Sequence, residues 1–150
     1  ENIKLYFDKS TSSEKSNSLK LLKFSLSILE IFIKNWSHEA VFNYIKIGFS
    51  GLEEDDIFKL EKYCLKWGIK QNKWKKEFVY GKNGEEENAE IDRLEQIRKD
   101  LVNPLIKLKI KIDENKSVEN ISKSIFEFLI EQRIQEKIQI KIEELENIVN

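Results

Sequence analysis

The sequence predicts a mainly α-helical fold, an irregular bundle of about six helices preceded by one short β-strand. Three observations lead there. Apolar residues recur at spacings of three and four along most of the chain, which puts them on common helix faces. Helix punctuation accompanies them: Ser37 and Ser117 stand just before two such runs, and Gly48 and Gly68 just after the run that Ser37 opens and the next one. And of 150 residues, 40% are apolar and one is a proline, enough for a domain with a core of its own.

Taken in order, Ile3, Leu5 and Phe7 alternate with Asn2, Lys4 and Tyr6, the period of a strand. A lone strand is not stable in water, so it pairs elsewhere or lies on the helices as an arm. The chain starts at Glu1 and contains no methionine, as expected of a piece cut from a longer protein. Asp8 to Ser18, rich in Ser, Lys and Asn, reads as a solvated connector. The first helix is expected from about Ser18 to Asn35. Leu19, Leu22, Leu26, Leu29, Ile33 and Trp36 form its stripe, and Leu21, Phe24, Ile28, Ile31 and Phe32 widen it. So apolar a helix is expected to be buried on two sides, at the centre of the core. The second, about His38 to Ile47, has Ser37 as cap, Glu39 in its first turn, and Trp36 and Val41 at the spacing of a hydrophobic staple.

The third helix, about Glu53 to Trp67, opens on four acids, which suit the positive end of a helix dipole better than a divalent-metal site. Ile57, Leu60, Cys64 and Trp67 share a face, and Gly68 supplies the stop. Phe78 to Gly84 is a loop. The fourth helix begins near Glu85. Ile91, Leu94, Ile97, Leu101, Leu105, Leu108 and Ile112 hold helical phase across Pro104, which should kink or restart it. Ile106, Leu108, Ile110 and Ile112 also alternate with lysines, as a strand would; Ile138, Ile140 and Ile142 do the same. Both stretches are assigned to helix because their outer neighbours keep helical phase. A fifth helix follows Ser117, with Ile121, Ile125 and Phe128 on one face, and a sixth covers about Gln135 to Val149.

A net charge of −1 excludes a globally basic nucleic-acid binder and leaves only a local patch. The single cysteine, Cys64, excludes an internal disulfide and a cysteine metal cluster, and its apolar position marks it as a core residue. The apolar region Leu19 to Trp36 is broken by Lys20, Lys23, Glu30 and Lys34, so no membrane span or signal peptide is expected and the expected location is cytoplasmic. His38, the only histidine, has no second ligand at a suitable spacing and reads as a surface residue. Gly81-Lys82 lacks the earlier glycine and the following hydroxyl of a phosphate loop. No catalytic, cofactor or metal residue is therefore assigned. One stretch invites a ligand. Lys70, Lys73, Lys75 and Lys76 surround Trp74, and such a loop contacts DNA if the lysines hold phosphates and the tryptophan stacks on a base. The competing reading folds Trp74 back onto the core and leaves the lysines solvated.

Six stretches carry a family resemblance. Asn2 to Asp8 is similar to an "IP-x-F-x-D" strand, which a helix ending Ser27-Ile28-Leu29-Glu30-Ile31 follows. Val41-Phe42-Asn43-Tyr44-Ile45-Lys46-Ile47-Gly48 resembles "VF-x-YLKTG", and Leu60 to Ile69 resembles "LENYCLKWGI", with Trp74 beyond a basic spacer. Leu101 to Leu105 and Ile125 to Leu129 then fit in order. Lys62 replaces Asn and Ile47 replaces Thr. With these motifs the chain resembles the B subunit of the bacterial AddAB (RexAB-type) ATP-dependent helicase–nuclease. The resemblance implies a subunit that, with a motor A subunit, ATP and Mg2+, unwinds and resects double-strand DNA ends for recombinational repair. It also implies a superfamily 1 helicase-like architecture in which residues 1–35 edge the second RecA-like (2A) domain and residues 36–150 form the helical 2B-type insertion. The nuclease residues and iron–sulfur cluster of that family would lie outside this chain. The segment would be a non-catalytic scaffold shaping the DNA channel and the subunit contact. The alternatives are an independent helical protein–protein interaction domain, and a weak single-strand DNA binding module built on Lys70 to Lys76.

Overall fold

A computed structural model describes residues 12–149. It contains α1 (Ser12–Ile33), α2 (His38–Lys46), α3 (Glu54–Trp67), a 3-10 helix (Gln71–Lys75), α4 (Glu85–Glu114), α5 (Val118–Glu131) and α6 (Ile134–Val149). The helical class and the order of the elements agree with the sequence. The expected strand at Asn2 to Asp8 lies outside the described residues, and among the described residues there is no strand. Each helix packs chiefly on its neighbour in sequence, which makes an irregular bundle of mostly local contacts.

Two expectations for the first helix are corrected. It begins at Ser12, so the connector assigned to Asp8–Ser18 is helical from Ser12 on. That first stretch is polar in sequence, so it leaves no apolar period to read. Nor is α1 buried on two sides. Phe24, Ile28 and Ile31 are fully buried, whereas Leu19, Leu22 and Leu26 are each more than half exposed and Ile33 is 82% exposed. Most of the stripe read as central, Leu19, Leu22, Leu26 and Ile33, is the solvent face, with Leu29 half-buried and Trp36 buried beyond the helix; of the residues that widen it, Phe24, Ile28 and Ile31 are the core.

The caps fall where the sequence put them. Ser37 accepts a hydrogen bond from the Ala40 amide at 3.3 Å, and Ser117 one from the Asn120 amide at 3.2 Å. Gly68 closes α3 in the left-handed region at φ 61°, and the Ile69 amide behind it returns to the Cys64 carbonyl at 2.9 Å. Between α1 and α2, Asn35 and Trp36 are also left-handed, at φ 48° and 57°, which costs about 1–2 kcal/mol for an L residue. Trp36 is held there by burial of its indole and by its amide donating to the Ile31 carbonyl at 2.8 Å.

α4 runs through Pro104 without restarting. Thirty residues make it about 45 Å long at about 1.5 Å per residue, the longest element among those described. Val102, Leu105, Leu108 and Ile112 are buried on either side of the proline, and their packing holds the helix across the missing hydrogen bond. The alternation at residues 106–112 was a coincidence of lysine placement: Leu105, Leu108 and Ile112 face the core at helical spacing while Ile110 is exposed. Residues 138–142 are likewise helical. α6 docks on the end of α2, where Lys137 donates to the Phe49 carbonyl and Lys141 to the Gly48 carbonyl, both at 3.3 Å.

Candidate functional site

The basic stretch after α3 is held by a buried ion pair. Glu95 and Arg98 lie one turn apart on the buried face of α4, each 6% exposed. The Arg98 Nε and Nη2 donate to the two Glu95 oxygens at 2.6 Å each, and its Nη1 donates to the Trp74 carbonyl at 2.9 Å. The Phe78 amide completes the set by donating to Glu95 at 2.9 Å. Burial pushes the Glu95 carboxyl up, but the hydrogen bonds from Arg98 and the Phe78 amide outweigh it and hold the pKa below the ordinary value. This pair fixes both ends of the segment from Trp74 to Phe78 on the long helix.

The reading of Trp74 as a stacking side chain is corrected here. Trp74 is fully buried, with its ring 6.0 Å from both Phe42 and Phe78. It is a core residue with no face open to a base. Lys70, Lys73, Lys75 and Lys76 are exposed around it. Two of them rest on aromatic rings: the Lys75 ammonium lies 5.8 Å from the Trp36 ring centre, and that of Lys73 lies 5.9 Å from the Tyr80 ring centre and donates to the Trp67 carbonyl at 3.1 Å. The lysines therefore spread over two sides of the segment instead of converging.

The surface aromatics are others. Trp67, half-buried at the end of α3, stacks on the exposed Tyr80 with centroids 5.4 Å apart and planes 18° apart. The Lys66 ammonium lies 5.2 Å from the Trp67 ring centre. This pair floors a groove of about 340 Å³ between α3 and the start of α4. Lys59, Lys62 and Lys66 of α3 line one side, and Glu86, Glu87 and Glu90 of α4 the other. Gly81, at φ 86°, lets the chain pass the Trp67 ring, which would stand 3.3 Å from a Cβ there. The sequence signal for this groove was present in Lys62, Lys66 and Trp67 at spacings of four and one, but Tyr80 joins only through the fold of the loop.

The other candidates are structural. Asp56 receives two hydrogen bonds from Arg93, at 2.7 and 2.6 Å, which hold its carboxyl below the usual range; Asp55 pairs with Lys59 at 2.6 Å. Burial pushes the Cys64 thiol far up, which keeps it un-ionised and unreactive. His38 sits 3.6 Å from Glu61, an oxygen of which also bonds Lys46. Among the described residues no group of acids, histidine or cysteine converges as a metal site would, and no helix is long and apolar enough to cross a membrane.

No family model matches the chain. It is similar to several curated proteins, each named as the B subunit of an ATP-dependent helicase/deoxyribonuclease. That of Caldanaerobacter subterraneus subsp. tengcongensis is 36% identical over 85% of this chain. Those of Clostridium acetobutylicum and Acetivibrio thermocellus are 31% and 34% identical over 95% and 82% of it. The chain spans only 12–13% of the length of these relatives.

Proposed function

With the chain matching one segment of the B subunits of ATP-dependent helicase/deoxyribonucleases, we propose that its part in such a protein is architectural. The whole subunit would act with a motor A subunit to unwind and resect double-strand DNA ends in recombinational repair. This segment would be a helical scaffold, a 2B-type insertion, that helps shape the DNA channel and the subunit contact. Residues 1–35 would border a RecA-like domain, and the cluster, Mg2+ and ATP sites of the complex would lie in other parts of it.

The observation that carries the reading is the match itself, which covers 82–95% of this chain in three relatives. The internal pairing of charge supports the architectural role. Asp55, Asp56 and Glu95 each have a basic partner at 2.6 Å; the Asp56–Arg93 pair ties α3 to α4, the other two lie within one helix, and none of these carboxylates is left poised for acid–base work. The exposed leucines of α1 support it too, since the relatives have far more chain available to cover them.

The test is the full-length subunit assembled with its partner, with Glu53→Gln and Glu54→Gln together in this segment. ATP hydrolysis and strand cleavage at unaltered rates are the expected result. Loss of either activity in an intact, correctly assembled complex would make the segment catalytic and overturn the reading.

A further inference from the structure

We propose that the groove between α3 and the start of α4 holds one base of single-stranded DNA, a proposal that rests on the reading of the parent subunit as a DNA-processing protein. In it, Trp67 and Tyr80 supply the stacking surface, Lys62 and Lys66 take the flanking phosphates, and Glu87 and Glu90 accept hydrogen bonds from an amino group on the base edge.

The charges are the first reason. Lysines line one wall and glutamates the other, yet among the described residues none of Lys62, Lys66, Glu86, Glu87 and Glu90 takes part in an ion pair. The third lysine of the groove, Lys59, is paired with Asp55, and elsewhere on the surface opposite charges close on each other, as at Lys82–Asp92 and Lys109–Asp113. A groove that keeps complementary charges on separate walls suits a ligand with a negative end and a hydrogen-bond-donating end. A nucleotide is such a ligand.

The aromatic pair is the second. Trp67 and Tyr80 are already stacked, so the surface is preorganised and no ring has to be recruited. The Lys66 ammonium over Trp67 is a surface cation–π contact, worth about 0.5–1 kcal/mol, whereas a stacked base contributes about 1–3 kcal/mol. The exchange favours the base, and it frees the ammonium for the phosphate beside it. The third is the identity of the acceptors. Carboxylates accept from the amino groups of cytosine, adenine and guanine, and thymine has none to offer.

Trp36 and Trp74 are buried, so quenching of tryptophan fluorescence on titration with oligonucleotides reads Trp67. The probes are ten-nucleotide oligo-dC and oligo-dT, which match in length and phosphate count. The expected result is quenching by both, tighter for oligo-dC by roughly tenfold, with a salt slope of about −1.4 for two phosphates. Glu87→Gln with Glu90→Gln should abolish the preference while keeping the quenching. Lys62→Ala with Lys66→Ala should weaken both oligonucleotides alike, and circular dichroism would show the helices retained in each variant. Absence of quenching at low salt, or equal affinity for the two oligonucleotides, would overturn the proposal. Neither result would touch the architectural reading, whose own test is activity of the assembled subunit.

Discussion

Arg98 and Glu95 set the residue scale, because each is buried and each is the other's partner. Arg98→Met leaves the buried carboxylate with only the Phe78 amide and the more distant, half-exposed Lys99 ammonium at 3.6 Å, and orphans the Trp74 carbonyl. The expected cost is about 3–5 kcal/mol, read from urea unfolding. The pair also makes stability depend on pH. The folded pKa of Glu95 is depressed, so its contribution is complete above the unfolded carboxyl value of about 4.3. It is lost as pH falls through the lower folded value. Glu95→Gln should flatten that acid limb while lowering stability at neutral pH. Trp74→Ala opens a cavity among Phe42 and Phe78 and should cost about 3–5 kcal/mol by the same measurement, whereas a surface tryptophan would cost little. The sequence did show part of this. Glu95 and Arg98 each stand four residues after a buried apolar residue, Ile91 and Leu94, so both fall in the buried phase of α4. A charged pair at that phase is a buried bridge or an error of phase. Trp74 was harder: its only cue is Phe78 four residues on, and lysines on both sides made the wet reading as good.

At the scale of elements, local chemistry settled the helix ends and burial settled everything that local chemistry left open. Ser37, Ser117 and Gly68 act through hydrogen bonds within a few residues, so their roles were legible from spacing alone. Which face of α1 is buried was not legible, since both faces are apolar and only the partners Tyr44 and Phe49 decide it, with ring centres 5.0 and 5.3 Å from Phe24. Contacts between α2 and α6 were equally hidden. Gly48 sits at φ 100°, and a Cβ there would run into the Lys141 ammonium that bonds its carbonyl. Gly48→Ala should therefore destabilise by more than about 1 kcal/mol in thermal unfolding. Because Lys141 is an exposed, flexible side chain that can swing aside, the loss is chiefly backbone strain and adding Lys141→Met should recover little of it. In α4 the opposite sign is expected. Pro104 interrupts a continuous helix, and a proline costs up to about 3 kcal/mol relative to alanine inside one, so Pro104→Ala should raise the thermal midpoint.

For the molecule as a whole, the question is what the solvent face of α1 meets. Leu19, Leu22 and Leu26 lie at helical spacing and are each 53–55% exposed, while the curated relatives are about eight times longer than the matched stretch. In an architectural role, the rest of the subunit lies against that face. The direct test compares one pair of substitutions in two settings. Leu22→Gln with Leu26→Gln keeps helix propensity and removes apolar surface. In the 150-residue chain, where both side chains already face water, the substitutions should change stability by no more than about 0.5 kcal/mol. In the full-length subunit with its partner, they should lower the thermal midpoint and the rate of DNA unwinding. Equal and small effects in both settings would contradict that role, because a scaffold whose apolar face touches nothing in the assembled protein is not scaffolding it.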